Sequence, residues 1–343
     1  MSSLSVSSNA MTTRLQSVGD CLPGLGVCAL LALIAWPLGE LFPLVGAPVI
    51  GILLGLVVGN LFDLDRSTDA GIHFSVKKLL QWAIIGLGLK LNLAQLWAVG
   101  SHSLQVTFVT LSVAFLSAWL LGKWLKLPGP MTVLIGAGTA ICGGSAIAAI
   151  APILRPKQHE LTLSLTTIFL FNLVAVLLFP ALGHLFNMSN DGFGLWAGTA
   201  INDTSSVVAA AYSYSQQAGD TATIVKLTRA SLILPVCLIL ALCLSWRRRQ
   251  EEKVRWRAIV PWFILGFVLA ACLHTAGLLP AQLEQQLVTL SHFMLIMALV
   301  AVGLNSKLRQ ILKAGSKPLL LGLGVWVLVA VSSLGVQWLQ GTW

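Results

Sequence analysis

Long apolar runs separated by short polar breaks dominate the chain. A bilayer core takes about 20 apolar residues in a helix. Read at that length, the runs predict helical spans at 24–42, 47–62, 77–97, 103–122, 130–153, 161–183, 193–213, 222–246, 258–275, 286–304 and 318–339. Barrel strands would alternate apolar and polar positions over segments of about ten residues. These runs are longer and unbroken, so the expected fold class is all-α, a polytopic transmembrane helical bundle.

Two of the runs are interrupted. In 130–153 stands GAGTAICGGSA, with Gly136, Gly138, Gly143 and Gly144 weakening any continuous helix; each glycine costs up to about 1 kcal/mol relative to alanine. In 193–213 stands GTAINDTSSVVAAA, where Asn202, Asp203, Thr204, Ser205 and Ser206 form an unbroken polar run between apolar flanks. Polar backbone and side chains at membrane depth must line a cavity or be buried in protein. Both segments are therefore expected to be broken or re-entrant helices, which leaves nine to eleven crossings. Close packing of small residues explains the glycines of the first equally well.

Composition agrees with a membrane interior: 57% of residues are hydrophobic and 10% charged, against about 25% charged in soluble domains. The net charge of +9 raises nucleic-acid binding, but its placement argues against it. Arg247, Arg248, Arg249, Lys253, Arg255 and Arg257 form one loop, and Lys307, Arg309, Lys313 and Lys317 another. Basic loops beside spans mark the cytoplasmic side. That rule puts the N-terminus inside and the C-terminus outside, with 16 of 21 basic residues inside. Residues 1–22 read as a cytoplasmic tail and 23–343 as a single transmembrane transporter domain in a bacterial inner membrane. The six cysteines form no CxxC pattern and read as packing residues.

An internal repeat is visible. Residues 88–100 (GLKLNLAQLWAVG) and 303–315 (GLNSKLRQILKAG) share Gly88/Gly303, Leu89/Leu304, Leu93/Leu308, Gln95/Gln310 and Gly100/Gly315. The first copy ends a helix outside and the second ends one inside, which describes an inverted repeat, common among secondary transporters with substrate sites near the midplane.

The candidate site follows from these breaks. A half-helix beginning at Gly143, Gly144 and Ser145 points free N–H groups and a positive dipole end at an anion, with Thr139 and Ser145 as further donors and Cys142 beside them. Asn202 and Asp203 can cap a second half-helix through Thr204, Ser205 and Ser206. Lys226 and Arg229 are three apart and share a helix face. They either snorkel to the headgroups or face inward and neutralise the anion, Arg229 through its donor fork. The chain lacks a P-loop, an HExxH and a paired-carboxylate motif. No cofactor, metal site or enzyme activity is expected. His292 sits at an apolar position and reads as a packed histidine.

At these residues the chain resembles the YeiH-like bacterial membrane proteins, a sulfate-exporter family. The resemblance runs from about Pro23 to the C-terminus. It is carried by GLGLKL (86–91), GAGTAICGGSA (136–146), the run beginning Asn202–Asp203, Lys226 and Arg229 with Pro235, and AVGL (301–304) through KAGSKPLL (313–320). Members of that family can carry His-Glu where this chain has Asn202–Asp203, so the acidic position is kept and the histidine is not. The layout is also similar to the bile-acid/sodium symporter-like superfamily, with inverted repeats, broken helices and a mobile core. Here the second half departs, because its broken segment precedes the repeat copy. The resemblance implies a secondary carrier of a small anion (sulfate, a sulfonate or a carboxylate). The alternative is a symporter or antiporter coupled to Na+ or H+ with Asp203 as the cation site. The expected partners are that anion, the coupling ion and the lipid bilayer, with a homodimer left open and no nucleic acid.

Overall fold

The computed structural model describes residues 20–42, 45–248, 262–306 and 315–343, and the side chains of all but 241–248 among them. Every regular element among the described residues is a helix. Six helical stretches are individually long and apolar enough to cross a bilayer: Leu22–Leu41, Leu93–Trp124, Gln158–Leu185, Gln216–Leu240, Ala281–Asn305 and Ser316–Gln340. Their outward faces carry large apolar side chains such as Leu30, Leu33, Leu116, Trp119, Leu290 and Val331, a surface that suits lipid and not water. The basic loop beyond Arg248 and most of the second repeat copy, residues 307–314, lie outside the described residues.

The helices divide into two compact units, a subdivision that the short loops do not announce. The first holds α1 (Leu22–Leu41), α2 (Gly46–Leu61), α3 (Asp69–Phe74), α4 (Leu80–Leu87) and, from far along the chain, α14 (Ala281–Asn305). A π-helical turn, Ser75–Leu79, joins α3 to α4. The seam between α2 and α14 is built on glycine. Cβ atoms placed on Gly55 and Gly59 would lie 2.1 Å and 2.5 Å from the carbonyl oxygens of Val300 and Leu304. From the other side, one on Gly303 would lie 2.2 Å from that of Ile52. The backbones touch because no side chain intervenes, the packing that lipid-embedded helices use where hydrophobic burial gives no drive.

The second unit runs from Leu91 to Ala276 and takes in the C-terminal helix. Its elements are α5 (Leu93–Trp124), α6 (Gly129–Ala140), α7 (Gly144–Leu154), α8 (Gln158–Leu185), α9 (Asn190–Ala200), α10 (Thr204–Tyr214), α11 (Gln216–Ser231), α12 (Ile233–Arg248), α13 (Trp262–Thr275) and α15 (Ser316–Gln340). The hydropathy boundary near residues 98–102 moves to Leu91–Asn92, because the Asn92 side chain accepts from the Gln95 amide at 2.7 Å and starts α5 there.

Both interrupted segments are broken helices. The first breaks between α6 and α7 and the second between α9 and α10. Every residue of α6 from Leu134 to Ala140, and of α9 from Gly192 to Ala200, is buried. Their small side chains let α5, α8, α11 and α15 close around them. Helices buried on all sides form the centre of this unit.

Candidate functional site

The breaks have local causes. At the first, Ile141 leaves the helical region with φ −119° and ψ −87°, and Gly143 takes φ 66° and ψ −129°. An L side chain rarely adopts that conformation. At the second, Ile201 is extended and Asp203 takes the extended conformation of an N-cap. The Asp203 carboxylate accepts the Ser205 amide at 3.0 Å and the Ser205 hydroxyl, so α10 starts where its cap stands. Asp203 is half-buried.

The two breaks meet. A Cβ on Gly143 would lie 3.2 Å from the Asp203 Cβ. Helix α11 stands behind the junction and sends Lys226 and Arg229 into it, both fully buried. The Lys226 ammonium donates to the carbonyls of Ile141 at 3.1 Å and Ile201 at 2.9 Å, and to that of Asn202. The Arg229 Nε donates to the Ala140 carbonyl at 2.5 Å. Its two terminal nitrogens donate to the carbonyls of Thr199 and Thr139. These are the carbonyls a broken helix leaves without partners at its C-terminal end.

The two cations face inward, one of the two arrangements that their spacing allows. Neither snorkels to a headgroup. All three ammonium hydrogens of Lys226 have backbone acceptors, and Arg229 donates to carbonyls of both breaks. They hold the C-terminal ends of α6 and α9 together and offset the negative dipole ends there.

The other expected residues fall as follows. Thr139 and Asn202 are buried, and the Thr139 hydroxyl and both polar side-chain atoms of Asn202 have no hydrogen-bond partner. Cys142 is buried in the first break, within electrostatic reach of Lys226, Asp203 and Arg229. A Cβ on Gly144 would lie 3.6 Å from Leu165 and Phe169 of α8. Ser145, at the start of α7, is exposed. Ser205 and Ser206 are buried in the first turn of α10, while Thr204 is half-buried. No group of three or more His, Cys, Asp or Glu residues able to hold a metal ion occurs among the described residues.

One polar residue at the junction escaped the sequence reading. Asn172 of α8 accepts the Asp203 backbone N–H at 3.2 Å. It is 4% exposed. The signal for it was present as a lone amide inside an otherwise apolar span.

Chemically, the junction brings together two helix N-termini, two helix C-termini, two cations and one carboxylate. The helix ends carry about half an elementary charge each, and Lys226 and Arg229 stand on the two negative ones. Among the described residues, Asp203 is the one carboxylate set against these two cations.

Residues 23–322 match the family described as Conserved hypothetical protein 698. A UPF0324 membrane protein of Streptococcus pyogenes serotype M18 is 44% identical over 97% of this chain and 100% of its own length. One from Fusobacterium nucleatum subsp. nucleatum is 42% identical over 93% of this chain and 98% of its own. One from Streptococcus mutans serotype c is 43% identical over 94% and 98%. Among solved structures, the sodium proton antiporter MjNhaP1 from Methanocaldococcus jannaschii at pH 8 aligns over 93% of this chain and 96% of its own. Its identity is 14% and its TM-score 0.30. The family match and the near full-length relatives place this multi-pass helical membrane protein in the Conserved hypothetical protein 698 family, beside the UPF0324 membrane proteins.

Proposed function

We propose that the protein is a secondary transporter of a small anion, sulfate or a related sulfonate or carboxylate, working by alternating access. The observation that carries this reading is the charge balance where the two broken helices meet. Lys226 and Arg229 are both fully buried there, and among the described residues Asp203 is the one carboxylate beside them. An uncompensated charge at membrane depth is costly, and an anion at the N-termini of α7 and α10 supplies the missing counter-charge. Helix N-termini bind anions through free N–H groups and their dipole. In this reading Lys226 and Arg229 act as positioning residues. They hold the half-helices in place and set the potential, while the anion meets the backbone N–H groups near Gly143–Ser145 and Thr204–Ser206. An inverted-repeat architecture, with the N-terminus inside and the C-terminus outside, would let two related halves expose this site alternately.

The test is labelled sulfate exchange in sulfate-loaded proteoliposomes, followed by competition with sulfonates and dicarboxylates. Saturable exchange supports the reading. Tight, well-folded proteoliposomes that exchange none of these anions overturn it.

A second reading is favoured by the oxygens at the same place. The Asp203 carboxylate, the Asn202 side chain and the Thr139 hydroxyl belong to the two breaks, and the last two have no hydrogen-bond partner. Such a set suits Na+ or H+ coupling. Sodium-dependent or pH-driven uptake that disappears in Asp203→Asn would select it.

A further inference from the structure

We infer that Asn172, on the middle of α8, is a direct anion-contact residue that donates through Nδ2; this rests on the anion-transport reading and adds a residue to its site. Helix α8 packs on both α6 and α10, so it reaches both broken helices. One turn before Asn172, Ile168 lies 3.0 Å from a Cβ built on Gly138, the residue preceding Thr139. Residues four apart share a helix face, so Asn172 faces the same junction. Its Oδ1 accepts the Asp203 backbone N–H at 3.2 Å, at the second break.

That hydrogen bond settles which way the amide points. With Oδ1 facing a donor, Nδ2 is the second amide atom at the junction, and it carries two N–H groups. Nδ2 is buried and has no hydrogen-bond partner. A buried amide donor left unpaired is costly, so its presence asks for an acceptor. A cation cannot serve, because N–H hydrogens repel it. An oxyanion can, and the adjacent start of α10 favours the same charge. The Thr139 hydroxyl and the Asn202 amide are unpaired in the same region and offer further neutral donors. The anion is thus held by uncharged N–H and O–H groups, with Lys226 and Arg229 one layer behind.

Asn172→Asp and the uncharged Asn172→Ser together separate this role from a structural one, because aspartate also adds a negative charge beside Asp203. Aspartate keeps an oxygen for the Asp203 N–H and removes the Nδ2 donor. The experiment is sulfate binding to the full-length protein in detergent, read as sulfate-induced thermal stabilisation, together with labelled sulfate exchange in proteoliposomes. The expected result is an affinity for sulfate at least about tenfold weaker in both variants, and the loss in uncharged Asn172→Ser, the cost of one hydrogen bond to a charged group, carries the assignment. Asn172→Ser, with a hydroxyl too short to span both partners, should weaken binding similarly and serves if the aspartate variant does not fold. Wild-type affinity in the folded variant overturns the role of Asn172 while leaving anion transport standing. Absence of sulfate binding and exchange in the wild type overturns both.

Discussion

Asp203 stands against Gly143 where the two broken helices meet, with only 3.2 Å between the Asp203 Cβ and a Cβ built on the glycine. One residue caps the start of α10 and the other turns the chain into α7 through a left-handed φ of 66°. Each break therefore packs against the residue that makes the other.

Gly143→Ala should be costly on both counts. The backbone conformation is strained for any L side chain, at about 1–3 kcal/mol, and the new methyl presses on Asp203. Thermal melting in detergent should fall clearly below wild type. An unchanged melting temperature would mean that the first break can relax without Gly143.

Arg229→Ala should lower stability by at least about 3 kcal/mol, since charge-assisted hydrogen bonds are worth about 1.5–3 kcal/mol each and several carbonyls lose theirs. Arg229→Lys keeps the charge without the fork and should fall between. The check is the yield of monodisperse protein and its melting temperature. A well-folded Arg229→Ala would remove the positioning role argued above.

Asp203→Asn should leave stability within about 1 kcal/mol, because asparagine caps a helix as well as aspartate. Removing the negative charge should leave sulfate binding intact or tighten it. Loss of sulfate binding with loss of a sodium or pH dependence would instead favour the cation reading.

Gly55→Ala should destabilise by about 1–3 kcal/mol, because its Cβ meets the Val300 carbonyl at 2.1 Å. Gly26→Ala, in α1 with nothing within 4 Å of its Cβ, should be neutral or stabilise by up to about 1 kcal/mol. Equal effects at the two sites would show that the glycine seam between α2 and α14 does not depend on backbone contact.

Much of the fold was legible because its signals are local. Apolar length locates spans, so Gln158–Leu185 and Ala281–Asn305 fall where hydropathy puts them. The breaks were legible for the same reason: glycine at Gly143 and a capping aspartate at Asp203 act on the backbone beside them. Asn92 was readable in principle, since Asn three residues before Gln is a capping pattern, but the surrounding hydropathy hid it.

The site was only partly legible. Helical spacing put Lys226 and Arg229 on one face, but spacing does not say what the face meets. Tertiary packing set it against the C-terminal carbonyls of α6 and α9, where the two side chains clamp the helix ends. Asn172 became notable only when α8 brought it to the Asp203 amide, 31 residues away in sequence.

By itself, then, the sequence determined a helical membrane protein, several of its spans and the positions of its two breaks, because these follow from transfer of apolar length into lipid and from residue-level backbone preference. Only the tertiary structure decided that the breaks meet, that α14 joins the N-terminal helices, and that the two buried cations serve helix ends. Those outcomes depend on which distant carbonyl, amide or glycine a side chain faces, and that is settled by packing across the chain.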